Sequence, residues 1–371
     1  MIKVSEPFID IHDAKRIYKS LLKGWVSSAG PDVHNFEKNC AKLVKKNFGI
    51  SVANGSAALD VALKACNLKR GDEVIMSNFT IVSNMLSILR TKAKPVLVDC
   101  DPLEWNINLE DVEKKITKKT KVILAAHIYG FPIEIDKLKK ICLRNKIILI
   151  EDAAEQLGQR YKGKVIGSFG DISTFSFYAN KNITTGEGGM ICTNSSQLAK
   201  SCSDIKNLCF GKKNRFNHYD MGWNYRMTNM QACLGLSQLK KLNFIIKEKR
   251  KIGSLYYKIL KKNKDIYIQP PKNKYSKNIY WVVGIVIKKR INILKLIKWM
   301  KKQGIECREF FWPMHNQDFL KKLNIKIKGK FPVSSYISKH GLYLPAYVGL
   351  SDRKIKEICD KLSIFLNHNK L

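Results

Sequence analysis

The chain has 371 residues, 45% of them hydrophobic, with 67 Lys and Arg against 31 Asp and Glu, a formal net charge of +36. That apolar content can build a substantial core and points to two domains, or to one large domain with an appendage. The charge invites a nucleic-acid reading, but basic groups such as those of "VKKNF", "ITKKTK" and "WMKKQG" recur along the whole chain beside apolar residues at helical spacing. That is the pattern of solvated faces rather than of a phosphate-binding patch. No RNP-like aromatic strand, zinc-finger spacing or basic heptad region aims the charge at bases, so no nucleic-acid partner is expected. The positive field favours anionic small-molecule substrates instead. Ten cysteines include no CxxC pair and no His-clustered set at zinc-ligand spacing, which predicts reduced thiols and no metal. Lys3, Glu6, Asp10 and Asp13 interrupt the N-terminal stretch before an apolar run develops, and no stretch reaches bilayer-spanning length. A cytoplasmic protein without a membrane partner is therefore expected.

Through the first two-thirds of the chain, strand-length apolar runs alternate with helical patterns. "FGISVANGSAALDVALKAC" reads as a strand, a turn at Asn54-Gly55, then a helix with Leu59, Leu63 and Cys66 on one face. "DEVIMSN", "KPVLVDCD", "TKVILAAHIYG" and "KIILIEDAA" are further buried strands, with helices in "TIVSNMLSILRTK" and "EIDKLKKICLRNK" between them. The alternation implies an α/β domain with a largely parallel sheet. "MTNMQACLGLSQLKKLNFIIKEKRKIGSLYYKIL" reads as one long or two abutting helices. The break "QPPKNKYSKN", a strand in "IYWVVGIVI", a helix in "NILKLIKWMKKQG" and a final helix from about Lys354 follow. A large domain over 1–245 and a smaller C-terminal α+β domain over 246–371 are expected.

Three features fall where an open α/β sheet keeps its ligands, at the carboxyl ends of strands. The turn Asn54-Gly55-Ser56-Ala57 feeds a helix whose free N–H groups suit a phosphate, although small residues at such a turn more often serve simple packing and capping. Glu151-Asp152 ends "KIILI", with Glu155 three residues beyond Asp152, and a carboxylate there needs a cation or donors. Asp152 could hold a pyridinium nitrogen protonated, or cap a following helix. Lys181 sits between the strand "DISTFSFY" and the turn "TTGEGGM". A lysine amine attacks a carbonyl once it is desolvated or near positive charge, although in so basic a chain the plain alternative is a surface lysine.

Taken together in order and spacing, "IEDAAEQLG", "GSFGDISTFSFYANKNITTGEGGMI", "GWNYRMTNMQACLGLSQL" and "REFFWPMH" resemble the pyridoxal-phosphate sugar aminotransferases of the DegT/DnrJ/EryC1/StrS family, over nearly the whole chain. The resemblance implies the aspartate aminotransferase-like fold, PLP fold type I, whose large domain has a central, mostly parallel seven-stranded sheet. It makes Lys181 the Schiff-base lysine and later proton shuttle, and Asp152 the partner of the pyridinium nitrogen. It puts Glu155 near the phenolic oxygen and Gly55, Ser56 and Ser176 on the phosphate. Asn224 would reach the phosphate of a neighbouring subunit's cofactor, which implies a homodimer with shared active sites, or a dimer of dimers. Arg226 is a plausible anchor for the donor's carboxylate. Many relatives carry an aromatic residue where this chain has Ile81, so either Ile81 packs the cofactor ring or Phe79 takes part. Trp312 and His315 are candidates for the sugar-nucleotide pocket, or for a turn packed on the core. The implied reaction moves the amino group of L-glutamate to C4 of a nucleotide-linked 4-keto-6-deoxy sugar. GDP-4-keto-6-deoxymannose is favoured over dTDP-4-keto-6-deoxyglucose, and a surface polysaccharide such as O-antigen is one destination. The family's dehydratases fit less well, because the best known replaces the lysine with histidine. A silent fold-mate with a regulatory or structural role would be expected to lose Lys181, Asp152 or Ser176, and all three are present.

Overall fold

The computed structural model describes residues 1–211 and 213–368. The Ile- and Val-rich runs form the strands that sequence periodicity predicts: β1 (Phe48–Val52), β2 (Glu73–Ser77), β3 (Lys94–Val98), β4 (Thr120–Ala126) and β5 (Ile148–Asp152). A short hairpin, β6 (Arg160–Tyr161) and β7 (Lys164–Val165), precedes β8 (Ile172–Ser176) and β9 (Gly189–Thr193). Seven of these make one sheet in the order β1-β9-β8-β5-β4-β2-β3. The pairs β2·β3, β2·β4, β4·β5 and β5·β8 are parallel, and β9 runs against both its neighbours. Six strands therefore deliver their carboxyl ends to one edge, where the site lies.

Period-two alternation sorts side chains between the sheet's faces. Val74, Met76, Val122, Leu124 and Ile150 join a core with the Gly55–Ala65 helix. Ile75, Ile123, Leu149 and Phe175 join another with Trp105, Tyr129 and the middle of the long Asn229–Leu260 helix. The same alternation separates two adjacent carboxylates. Asp152 faces the side of Ile150, whereas Glu151 faces the side of Leu149, where it is fully buried and accepts N–H groups from Gly167, Phe169 and Gly170.

The smaller unit carries the antiparallel sheet β10-β11-β13-β12, formed by β10 (Ile266–Ile268), β11 (Val283–Ile287), β12 (Arg308–Glu309) and β13 (Gly341–Leu344). Helices Ile293–Lys302 and Asp352–His368 cover it through a third core. The expected boundary at 245/246 falls inside one continuous helix of 32 residues, Asn229–Leu260. A capping box at Thr228 and Gln231 starts that helix, and no proline interrupts it. Its first half anchors in the large unit through Gln238 and Lys241 on the fully buried Asp13. Its last turns put Ile252, Tyr256 and Leu260 into the small core. The N-terminal residues also cross over, since Ile2 pairs with Ile305 and Ala346 donates to the Val4 carbonyl.

Gly253 lets this helix pack on the small unit, because a Cβ there would stand 2.2 Å from the Tyr280 ring. Gly253→Ala is thus expected to destabilise the protein by about 1–3 kcal/mol through overpacking, despite alanine's better helix propensity. Chemical denaturation checks this; a neutral or stabilising result would mean that Tyr280 moves aside freely.

Candidate active site

A cavity of about 490 Å³ opens at the carboxyl ends of β1, β2, β4, β5 and β8. At one end the Asn54 side chain caps the Gly55–Ala65 helix by accepting the Ala57 N–H at 2.8 Å, while the first-turn residues Gly55 and Ser56 line the cavity. A Cβ at Gly55 would come within 2.8 Å of the Ser176 Cβ, so glycine lets the helix start approach the end of β8. Ser56 Oγ lies 2.7 Å from Ser83 Oγ, and Ser176 completes a hydroxyl-lined pocket at a helix N-terminus. Backbone N–H groups, a positive dipole end and hydroxyls together suit a phosphate.

Across the cavity, Asp152 is 5% exposed and accepts the Ala154 N–H at 3.2 Å. No helix follows β5 directly, so Asp152 is not a helix cap. Burial raises its carboxyl above the ordinary range, countered by that N–H, Lys181, His127 and Asn84. Glu155, also buried, accepts the Tyr129 N–H at 2.6 Å and is raised by burial, with Lys181 opposing. Burial pushes the half-buried Lys181 amine down, and Glu155 and Asp152 pull it back. His127 accepts the Ile133 N–H at Nδ1 and faces Glu151 with Nε2 at 3.3 Å, an arrangement that suits a neutral ring donating from Nε2.

The turn Tyr178–Lys181, closed by Lys181 N–H on the Tyr178 carbonyl, projects the lysine into this space. Its Nζ lies 3.8 Å from the centroid of the Trp281 ring, whose Nε1 donates to the Asn180 carbonyl at 2.9 Å. Trp281, Phe311 and Tyr343 form a wall from the small unit. Removing the Glu155 charge takes away an influence that raises Lys181. Glu155→Gln is therefore expected to move the pH midpoint for pyridoxal-phosphate capture by the apoprotein to lower pH. Capture rates followed by absorbance across pH check this; an upward shift would contradict the electrostatics.

Lys181, Asp152, Glu155, Gly55, Ser56, Ser176 and Ile81 are brought together in the cavity. Five residues named from sequence, Phe79, Trp312, His315, Arg226 and Asn224, lie outside its lining. Phe79 is fully buried against Tyr129, Phe310 and Phe311, because alternation beyond β2 turns it into the core. Ile81, 42% exposed, is the residue of that segment on the cavity wall. Trp312 is exposed and donates to the Asn316 carbonyl; His315 packs on Phe331 and Asn78. Arg226 donates to Asn207 in a separate cavity with Lys206 and Arg215. Asn224 is exposed at a bridge with Asn207, away from its own chain's cavity. Sequence reasoning missed Trp281, Phe311, Tyr343 and Asn180. Among the described residues no group of three or more His, Cys, Asp or Glu could hold a metal, and no helix is long and apolar enough to cross a membrane.

A half-buried lysine sharing a cavity with two buried carboxylates and a phosphate-type helix N-terminus, on a seven-stranded sheet of this order, fits an aminotransferase site. The DegT/DnrJ/EryC1/StrS aminotransferase family model matches residues 7–363, and the chain belongs to that family. It is a transaminase that uses pyridoxal phosphate. The chain is 36% identical over 370 residues to the GDP-perosamine synthase of Vibrio cholerae, covering 99% of this chain and 100% of that one. The aminotransferase from Psychrobacter cryohalolentis superposes with a TM-score of 0.90 at 27% identity, covering 98% of this chain and 99% of that one. A GDP-4-keto-6-deoxymannose-3-dehydratase variant with GDP-perosamine bound superposes with a TM-score of 0.89 at 25% identity, covering 98% of this chain and 100% of that one. The donor set fits the cofactor: hydroxyls and a helix start for its phosphate, a buried carboxylate for its ring nitrogen, and an amine for its aldehyde.

Proposed function

We propose that the protein moves the amino group of L-glutamate to C4 of GDP-4-keto-6-deoxymannose, giving GDP-perosamine. Likeness along its full length to a GDP-perosamine synthase carries this reading, and the retained Lys181 favours amino transfer over the dehydration carried out by the family member with histidine. When bound, pyridoxal phosphate supplies an aldehyde that takes up nitrogen and a ring that accepts the electron pair released at the substrate carbon.

The chain's residues do the rest. Gly55, Ser56 and Ser176 would hold the phosphate. The Asp152 carboxylate would pair with the ring nitrogen and favour its cationic form, with burial strengthening that interaction. Glu155 would serve the phenolic oxygen. Lys181 binds the cofactor through Nζ, then takes the proton from the donor's α-carbon and delivers one at C4 of the sugar. Burial lowers its basicity, with Glu155 and Asp152 opposing, which favours the nucleophilic free amine. Trp281, Phe311 and Tyr343 exclude water from one side.

Asn224, exposed outside its own cavity, would complete the phosphate site of a second copy in a homodimer. An active monomer in solution would overturn that part. Ten unpaired thiols suit the reducing cytoplasm, where the product would enter surface-polysaccharide synthesis.

The test is a half-reaction. L-Glutamate should bleach the visible band of the lysine-bound cofactor, and GDP-4-keto-6-deoxymannose should restore it while the dTDP-4-keto-6-deoxyglucose control does not. Restoration by the dTDP sugar alone would reassign the substrate; a band that no donor bleaches would refute the transaminase reading.

A further inference from the structure

Beside the main cavity lies a side chamber of about 180 Å³, walled by Val4, Ser5 and Pro7 of the N-terminal segment and by Arg308 of β12. It shares Tyr178, Asn180, Trp281 and Tyr343 with the main cavity, so the two meet around the turn that carries Lys181. A chamber this size suits an amino acid's skeleton and is too small for a nucleotide. We propose that Arg308 anchors a carboxylate of the amino-group donor in this chamber, a role that rests on the donor being a dicarboxylic amino acid such as L-glutamate.

Charge is the first argument. The main cavity is lined by Asp152, Glu155 and Glu187, with Lys181 the one Lys or Arg among its lining residues. Lys181 is occupied with the cofactor. A donor carrying two carboxylates would meet net repulsion there unless another fixed positive charge received it. Arg308 is the charged side chain lining the adjoining chamber.

Geometry is the second. A single contact to Glu306 at 3.3 Å holds the guanidinium from one side, and the other Glu306 oxygen accepts the Val4 N–H at 3.0 Å. The Tyr343 hydroxyl is hydrogen-bonded to it, and Tyr343 lines both cavities. The Arg308 side chain stays 55% exposed, so the Glu306 pair contributes little. A guanidinium carries five N–H donors, more than single contacts to Glu306 and Tyr343 take up, and its planar fork matches a carboxylate's paired oxygens. Arg226, the alternative implied by the resemblance, donates to Asn207 in a different cavity of its own chain, so it could meet a donor only in the site of a second copy.

The experiment is calorimetric titration of glutarate, a dicarboxylate without an amine, into the cofactor-loaded unaltered protein and its Arg308→Met, Arg308→Lys and Arg226→Met variants. Half-reaction kinetics accompany it. Arg308→Met is expected to weaken glutarate and raise the L-glutamate KM by roughly 10- to 100-fold, the range for losing a charge-assisted pair. The effect should be confined to the donor half-reaction, and Arg308→Lys should recover part of the loss. Unchanged glutarate affinity in Arg308→Met, or loss only in Arg226→Met, would overturn the proposal. Failure of the underlying reading looks different: the unaltered protein would then neither bind glutarate nor lose its visible band to L-glutamate. Borohydride fixation of the cofactor at Lys181, read by mass spectrometry, establishes the main site independently.

Discussion

Lys181→Ala is expected to lower turnover by on the order of 10⁴-fold or more, since one side chain supplies both the covalent hold on the cofactor and the proton transfers. The helix start at Gly55, the hydroxyls of Ser56 and Ser176, and Asp152 are untouched by the change. The variant should therefore still bind pyridoxal phosphate noncovalently, with its spectrum shifted to that of the free aldehyde, and borohydride should no longer fix it to the chain. Full activity, or fixation at another lysine, would refute the assignment. Glu155 and Asp152 would lose their shared cation, so both carboxyls should titrate higher in the variant.

Asp152→Asn is expected to cost roughly 10²- to 10³-fold in kcat, on the scale of removing one electrostatic contact to charge developing in the transition state. The amide keeps the shape and can still accept the Ala154 N–H, so cofactor affinity should fall far less than rate. That split separates a charge effect from a folding defect. Equal losses in binding and rate would make Asp152 a scaffold residue, and an unchanged rate would remove it from the mechanism.

Much of this site could be read from the sequence because its large-unit members sit next to strand ends. Alternation and turn residues mark strand ends well, which places Asp152 and Lys181 there, while their roles, and Ser176 with them, come from the resemblance to the family. The limits follow from the same physics. "IYWVVGIVI" reads as one strand, but β11 begins only at Val283, and Tyr280 adopts a φ of 50°. That left-handed residue precedes Trp281, whose ring faces Lys181. In "REFFWPMH" the exposed Trp312 and half-buried His315 drew attention, while Phe311 reaches the cavity. Phe79 and Ile81 show the reverse problem: strict alternation would put these two, separated by one residue, on the same side, and they part because Ile81 already caps the helix Val82–Arg90. Contacts between the two units depend on residues more than a hundred positions apart, and no local pattern encodes them.

The N-terminal strap carries a consequence for how the chain assembles. Val4 bonds to Glu306 across 302 positions and takes an N–H from Ala346. The Val4 segment must therefore wait for residues made some three hundred positions later before it finds its place. The large sheet, whose strands end at Thr193, can form well before that, whereas closing the small unit is a late event with a long loop to gather. The wall that Trp281, Phe311 and Tyr343 give the lysine's cavity arrives with that late step, so a nascent chain can bring Lys181 to the end of the large sheet before the cavity is closed.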